Sequence, residues 1–268
     1  VKKILLLIII LLPLIVSAQI KTIKADVTND GYNDKVEMGL KSVIVTDVIS
    51  CCTRRKYTVV DNVENLADIV VDNFHSGVPG NEIAVVTLPD HEYVTQVYGL
   101  KGKNVNLLSD PLPGQISFDE NEKLFGYTTH TWQGRELQVP WPIIEDAGFL
   151  KPALLVHETE TTVVVDSGTT KEIVIEMLTH VITVVVADTE EKGAVIFLLD
   201  NDGTLITQKP IDSERPLVGT SSADLDKTIS LVIDNLQSST PTTVHYIIKH
   251  YIKKIITIEI KTPEGLKK

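Results

Sequence analysis

The sequence predicts an all-β protein of two domains, the second of them a β-sandwich. Three observations carry this expectation. β-Branched residues dominate and helical periodicity is scarce. Turns rich in Gly, Pro, Asn and Asp recur at short intervals. Near Pro152 the texture changes, from short mixed strands to long Val, Ile and Thr runs.

The chain opens VKKILLLIIILLPLIVSAQ. Two lysines precede an apolar run, Ile4 to Val16, that closes on Val16-Ser17-Ala18. A basic start, an apolar stretch and small residues before a cut are the parts of a secretory signal. The run is shorter than the roughly 20 residues of a membrane span, and no cysteine follows it to carry a lipid. Residues 1–18 are therefore expected to be a signal peptide. The protein is expected to be exported, to a periplasm or outside the cell, with no membrane contact after cleavage. Without Lys2 and Lys3, 23 of the 25 basic residues face 36 acidic ones, a formal charge of −13. That balance argues against nucleic acid and anionic lipid as partners and suits divalent cations. The two cysteines, Cys51 and Cys52, are adjacent. Neighbours on a strand point to opposite faces, so two separate thiols are expected rather than a disulfide framework.

Candidate strands of the first domain, residues 19–152, are Lys35–Ile44, Lys56–Val60, Asp68–Asp72, Glu82–Leu88, Thr95–Leu100, Val105–Leu108, Leu124–Trp132 and Glu136–Val139. Pro140–Pro152 holds no clear period and reads as a linker or long loop. The second domain, 153–268, contains TTVVVD, KEIVIEM, HVITVVVAD, GAVIFLLD, TISLVIDN, TVHYIIKH and KIITIEIK. Six to eight strands in this length predict a sandwich. The terminal TPEGLKK is expected to fray.

The stretch with the most chemistry is DVTNDGYND, Asp26 to Asp34. Carboxylates fall at every fourth position (Asp26, Asp30, Asp34), with the Thr28 hydroxyl between the first two. Gly31 permits a sharp turn, and Tyr32 can offer its backbone carbonyl. A calcium ion takes six to eight oxygens at roughly 2.3–2.6 Å, and a curling loop can supply them. Three carboxylates at this spacing would repel one another without a cation. A solvated Asn-Asp-Gly turn is the plainer alternative. Glu37 falls at position 12, where an EF-hand loop has its glutamate. The flanks QIKTIKA and KVEMGLKSVIV alternate as strands, however, so Glu37 would face away.

Asp26, Thr28, Asp30, Gly31 and Asp34, followed directly by KVEMG, resemble the FG-GAP or VCBS-type repeat of integrin-like propeller blades. The stretch ADIVVDNFHSGVPGNEIAVVTL is similar to the same repeat with a degenerate metal loop, in which Asp72 and Glu82 remain. The resemblance covers about residues 22–140. It implies calcium held by Asp26, Thr28, Asp30, Asp34 and the Tyr32 carbonyl. Blades take roughly 40–60 residues, so the stretch holds two or three, whereas a closed propeller has at least about four. Closure is left open.

Other constellations carry less. Asp200-Asn201-Asp202-Gly203 reads as a tight hairpin. The seven histidines are scattered, and His245 and His250 fall on opposite faces of any one strand. There is no Gly-x-Ser-x-Gly elbow and no phosphate loop, and no catalytic residue is assigned. Trp132 and Trp141, in a chain with two tryptophans, would fill a core or meet a sugar or partner. The function expected is an exported, non-enzymatic, calcium-binding adhesion or ligand-binding module for a protein or glycan. The alternatives are a secreted glycan hydrolase or lyase, and a surface-assembly subunit that oligomerises through an open sheet edge.

Overall fold

The computed structural model describes residues 21–49, 53–75, 80–119, 122–189, 193–209, 216–223 and 225–252. The expected signal segment, Cys51, Cys52 and the C-terminal TPEGLKK lie outside the described residues. The fold is all-β. The described residues hold no helix long and apolar enough to cross a membrane. The chain divides into two compact units, residues up to Phe118 with Glu145–Lys151, and Asp119–Ile144 with Pro152 onward. The last crossing falls at Pro152, where the texture of the sequence changes, and residues 119–144 group with the second unit.

The first unit contains two consecutive four-stranded antiparallel meanders. One is β1 (Lys21–Ala25), β2 (Asp34–Met38), β3 (Val43–Val48) and β4 (Arg54–Val60), in that spatial order. The other is β5 (Leu66–Asp72), β6 (Glu82–Thr87), β7 (Val94–Lys101) and β8 (Asn104–Leu107), with the short β9 (Leu112–Pro113) also on β7. β10 (Gln115–Phe118) follows. Sequential neighbours pair because each strand buries alternate apolar residues, and a short polar turn is enough to reverse the chain. Val36, Val43, Val45 and Val59 of the first meander meet Ile69, Ile83, Val85 and Leu100 of the second in one core. The expected single strand Lys35–Ile44 is corrected: it breaks at Gly39–Ser42, where the Gly39 N–H donates to the Ser42 carbonyl at 2.8 Å. A glycine and a serine closing a tight turn outcompete continued alternation.

In the second unit β11 (Leu124–Trp132) and β12 (Arg135–Asp146) form a hairpin. The expected linker Pro140–Pro152 is corrected here, because β12 runs through it to Asp146 and β13 (Phe149–Pro152) follows. Two prolines fit this strand because they share one parity, opposite Tyr127 and Phe125 of β11. The Pro142 carbonyl accepts from the Ala153 N–H at 2.8 Å, so that residue's hydrogen-bonding side turns away from β11. The missing proline N–H groups therefore leave the β11 ladder intact.

Eight further strands follow: β14 (Leu154–Val165), β15 (Thr170–Met177), β16 (Val181–Thr189), β17 (Val195–Asp200), β18 (Leu205–Gln208), β19 (Leu217–Ser222), β20 (Lys227–Asp234) and β21 (Thr242–Ile252). They form two sheets, ordered β14-β21-β16-β19 and β15-β20-β17-β18. Eight strands divided between two sheets in this order make a jelly-roll sandwich. Its interior holds Val185, Ala187, Val244 and Ile248 of one sheet against Ile196, Leu198, Ile229 and Leu231 of the other. On the opposite face of the first sheet, Val184, Val186, Ile247 and Tyr251 pack against Val139 and Trp141 of the hairpin. The Trp141 indole N–H donates to the Ala153 carbonyl at 2.9 Å, and this tryptophan is partly buried against that cluster. A bulge in β14 shifts its pairing with β21 between Leu155 and His157. Asp200–Thr204 is the hairpin turn between β17 and β18, with Gly203 at φ +82°.

Gly219 of β19 sits where the sandwich interior leaves no room for a side chain. A Cβ there would lie 2.5 Å from Leu198 Cδ2 and 2.9 Å from Thr207 Cγ2. Gly219→Ala is expected to lower stability by about 1–3 kcal/mol through overpacking, read as an earlier urea midpoint with an unchanged slope. Gly134→Ala, with open space around its Cβ position, is strained only through its positive φ of 79°, and is expected to cost less.

Candidate functional site

The loop Asp26–Asn33 joins β1 to β2, and Asp34 is the first residue of β2, opposite Ala25. Asp34 is 0 % exposed. Its Oδ2 accepts from the backbone N–H of Val27, the N–H of Thr28 and the Thr28 hydroxyl, each at 3.1 Å. The carboxylate thus reaches back and organises the start of the loop. Asp26 caps the loop from the other end, accepting from the Asp30 N–H at 3.2 Å and the Gly31 N–H at 2.9 Å. Asp30 accepts from the Tyr32 N–H at 2.9 Å, and the Tyr32 side chain is 63 % exposed. Glu37 lies apart from the loop and pairs with Lys35 at 2.6 Å. The five residues expected to hold calcium thus form two hydrogen-bonded groups, Thr28 with Asp34 and Asp26 with Asp30 and Tyr32.

Asp47 is a sixth oxygen donor that local spacing does not announce. The β2–β3 register pairs Lys35 with Thr46, and its continuation sets Asp34 beside Asp47. Asp47 is 4 % exposed. Its Oδ2 accepts from the Tyr57 hydroxyl at 3.4 Å, while Oδ1 of Asp47 and Oδ1 of Asp34 are buried with no hydrogen-bond partner among the described residues. Burial pushes the Asp47 carboxyl above its usual range, and the charges of Asp34 and Asp30 push it further. The Tyr57 hydroxyl and the Arg55 charge offset this only in part, so burial and like charge dominate at Asp47.

The second meander repeats the device. Glu82 is the first residue of β6, fully buried, and its Oε2 accepts from the Phe74 N–H at 2.7 Å and the His75 N–H at 3.3 Å. Burial raises its carboxyl, against the pull of those two N–H groups. Asn81 just before it donates from its backbone and its side chain to the Asp26 carbonyl, at 3.2 and 3.1 Å. The turn before β6 is thereby tied to the turn before β2.

A second polar group lies on the hairpin-covered face of the jelly roll. Glu160 Oε1 of β14 is 3.1 Å from His130 Nε2 of β11 and 3.0 Å from His245 Nε2 of β21. The two imidazoles stack at 5.9 Å, and Trp132 lies flat on His245 at 4.6 Å. Burial opposes the Glu160 charge, yet the His245 hydrogen bond and the His130 and His245 charges together hold its carboxyl below the usual range. Beside His245 across the sheet, buried Asp188 pairs with Arg135 Nη1 at 2.8 Å and with Lys209. Nothing in the sequence pairs these histidines. Their strands meet only through the fold, and the period of two says which face each side chain takes but not what covers it.

No family model matches the chain, and no curated protein matches it in sequence. Among solved structures, the insecticidal delta-endotoxin Cry8Ea1 from Bacillus thuringiensis aligns at 6 % identity and TM-score 0.25, over 88 % of this chain and 52 % of that one. The chain thus spans about half the length of the endotoxin. Infectious bursal disease virus, Gx strain, aligns at 10 % identity and TM-score 0.20, over 87 % of this chain and 70 % of that one.

Asp34→Ala strips three donors of a charged acceptor, one of them the buried Val27 N–H. A loss on the order of 3 kcal/mol is expected from a charge-assisted group of this kind. Asp26→Ala, whose bonds are exposed, is expected to cost under about 1 kcal/mol. Chemical denaturation of the two variants in chelator checks the ranking.

Proposed function

We propose that the first unit is a calcium-binding module of an exported protein, and that it works by binding a protein or glycan ligand rather than by catalysis. One observation carries this reading: Oδ1 of Asp34 and Oδ1 of Asp47, buried on neighbouring strands, have no hydrogen-bond partner among the described residues, and the charge of Asp34 adds to the rise at Asp47. A buried carboxylate without a counter-charge is costly. A hard divalent cation relieves two of them at once, and the donors here are all oxygen, which suits calcium. Asp26, Thr28, Asp30, Asp34 and the Tyr32 carbonyl remain the expected ligands, with Asp47 added. Calcium bound there would supply positive charge and fix the loop, presenting exposed Tyr32 as a contact for the ligand. Two successive four-stranded meanders, each with a buried acid opening its second strand, support the likeness to FG-GAP or VCBS-type blades. Export rests on the VKKILLLIIILLPLIVSA segment alone.

The test is thermal unfolding of the protein in calcium and in chelator, beside Asp30→Ala and Asp47→Asn. Calcium at about 100 times its dissociation constant adds about 2.7 kcal/mol, so the wild type should melt several degrees higher with it. Asp30→Ala should lose that gain. Asp47→Asn should lose most of it too, yet melt above the wild type in chelator at neutral pH. The sign follows from linkage: the folded pKa of Asp47 lies above its ordinary 3.8, so the folded state takes up that proton first. Wild-type stability in chelator should therefore rise as pH falls through the raised pKa toward 3.8, and Asp47→Asn should flatten this rise. A calcium-insensitive wild type overturns the reading.

A further inference from the structure

We propose that His130, Glu160 and His245 form a second metal site, chemically distinct from the aspartate loop, that takes a transition ion of the zinc type. His130 Nε2, Glu160 Oε1 and His245 Nε2 are all within 4.8 Å of one another, the only such trio of His, Cys, Asp or Glu atoms among the described residues. The separations of 3.1 and 3.0 Å from the carboxylate oxygen to the two nitrogens are close to the spacing of tetrahedral zinc ligands. With bonds of about 2.0–2.1 Å, neighbouring ligand atoms stand about 3.3 Å apart. A set of two imidazoles and one carboxylate is a recognised zinc set, and three protein ligands leave a fourth position for water or a ligand.

Each ligand is held by a different strand. His245 is buried on β21, which is paired on both sides and so cannot shift. Trp132 lies parallel to its ring at 9°, which fixes the plane in which Nε2 points. His130 is two residues from Trp132 on β11 and takes the same side of that strand. Its ring lies within 11° of the His245 plane, so both Nε2 atoms converge on one oxygen. Glu160 comes from β14 with its side chain 41 % exposed, which leaves the trio open to solvent on one side. A hydrogen-bonded His-Glu-His trio without metal is the competing account. It requires both imidazoles to donate to the same carboxylate oxygen. An ion between the three atoms removes that demand, since each group then offers a lone pair.

Trp132 supplies a direct readout. A paramagnetic ion bound through His245 Nε2 sits close enough to quench its fluorescence. The experiment is a titration of the chelator-stripped full protein with Zn²⁺ by calorimetry and with Cu²⁺ by tryptophan fluorescence. The wild type should take one equivalent of zinc, and copper should quench a fraction of the emission that a large excess of zinc restores, since copper binds such a set more tightly. Glu160→Gln and His130→Ala, both on the open side of the trio, should fold normally by circular dichroism and bind zinc about tenfold more weakly or worse. Even loss of a group that merely supports a metal ligand costs that much. Trp132→Phe should abolish the zinc-reversible quenching, while Asp30→Ala should leave zinc binding and quenching unchanged. Zinc binding that is absent in the wild type, or that is equal in wild type and Glu160→Gln, overturns the assignment. A site lost in Asp30→Ala but kept in His130→Ala does the same, and returns the ion to the aspartate loop.

Discussion

The second unit is organised around β21. Its eleven residues, Thr242–Ile252, are hydrogen-bonded to β14 on one side and β16 on the other. Because successive side chains alternate, one strand serves two cores. Val244 and Ile248 enter the sandwich, while Ile247 and Tyr251 meet the hairpin layer. Burying the Tyr251 ring completely also buries its hydroxyl, which has no hydrogen-bond partner among the described residues, and burial drives its phenol well above the usual range. The packing gained from a large aromatic outweighs one unmet hydroxyl, whose cost is about 1–3 kcal/mol. His245 belongs to the same face as Tyr251, and its burial follows from the strand rather than from any local demand for a polar group.

The first unit meets a different constraint. Each meander must turn from its first strand into its second through a loop whose backbone N–H groups would otherwise lack acceptors. A buried acid at the head of the second strand answers this in both, Asp34 for Val27 and Thr28, Glu82 for Phe74 and His75. In each, one oxygen is committed to the loop and the other is buried without a hydrogen-bond partner among the described residues. Asp47 stands beside Asp34, and this added negative charge is what sets the first of these caps apart in the proposed reading. The donors at the two candidate ion sites differ accordingly. Oxygen alone lines the loop, while nitrogen and oxygen converge in the histidine trio, and hard and borderline ions separate on that difference.

Much of this was legible in the residues, for reasons that differ by element. The β class followed from composition and turn spacing, and the Asp200–Gly203 hairpin from its Asp-Gly dipeptide. The Asp26–Asp34 loop was legible because all its groups lie within nine consecutive residues, where spacing alone sets geometry. Asp47 was not, since only the β2–β3 register brings it to Asp34. The strand through Pro140 and Pro142 was obscured because proline weakens a strand on average, and tolerance depends on which edge lacks the N–H. Glu160 lies 30 residues from His130 and 85 from His245, so their meeting depends on how β14 pairs with β21 and on which sheet face the β11–β12 hairpin covers. Neither leaves a periodic trace in any one segment.

The bulge in β14 bears on how this chain can change by insertion or deletion. Leu155 pairs with Tyr251 and His157 with His250, so Val156 is the residue in excess. It absorbs a frame difference between the two ends of the strand, and removing it would leave Glu160 facing as before. Loss of a single residue between His157 and Glu160 would instead turn every later side chain of β14 to the other face. Length variation in this strand is thus confined to one position, and substitution is the only route by which its other residues can drift without dismantling what they face.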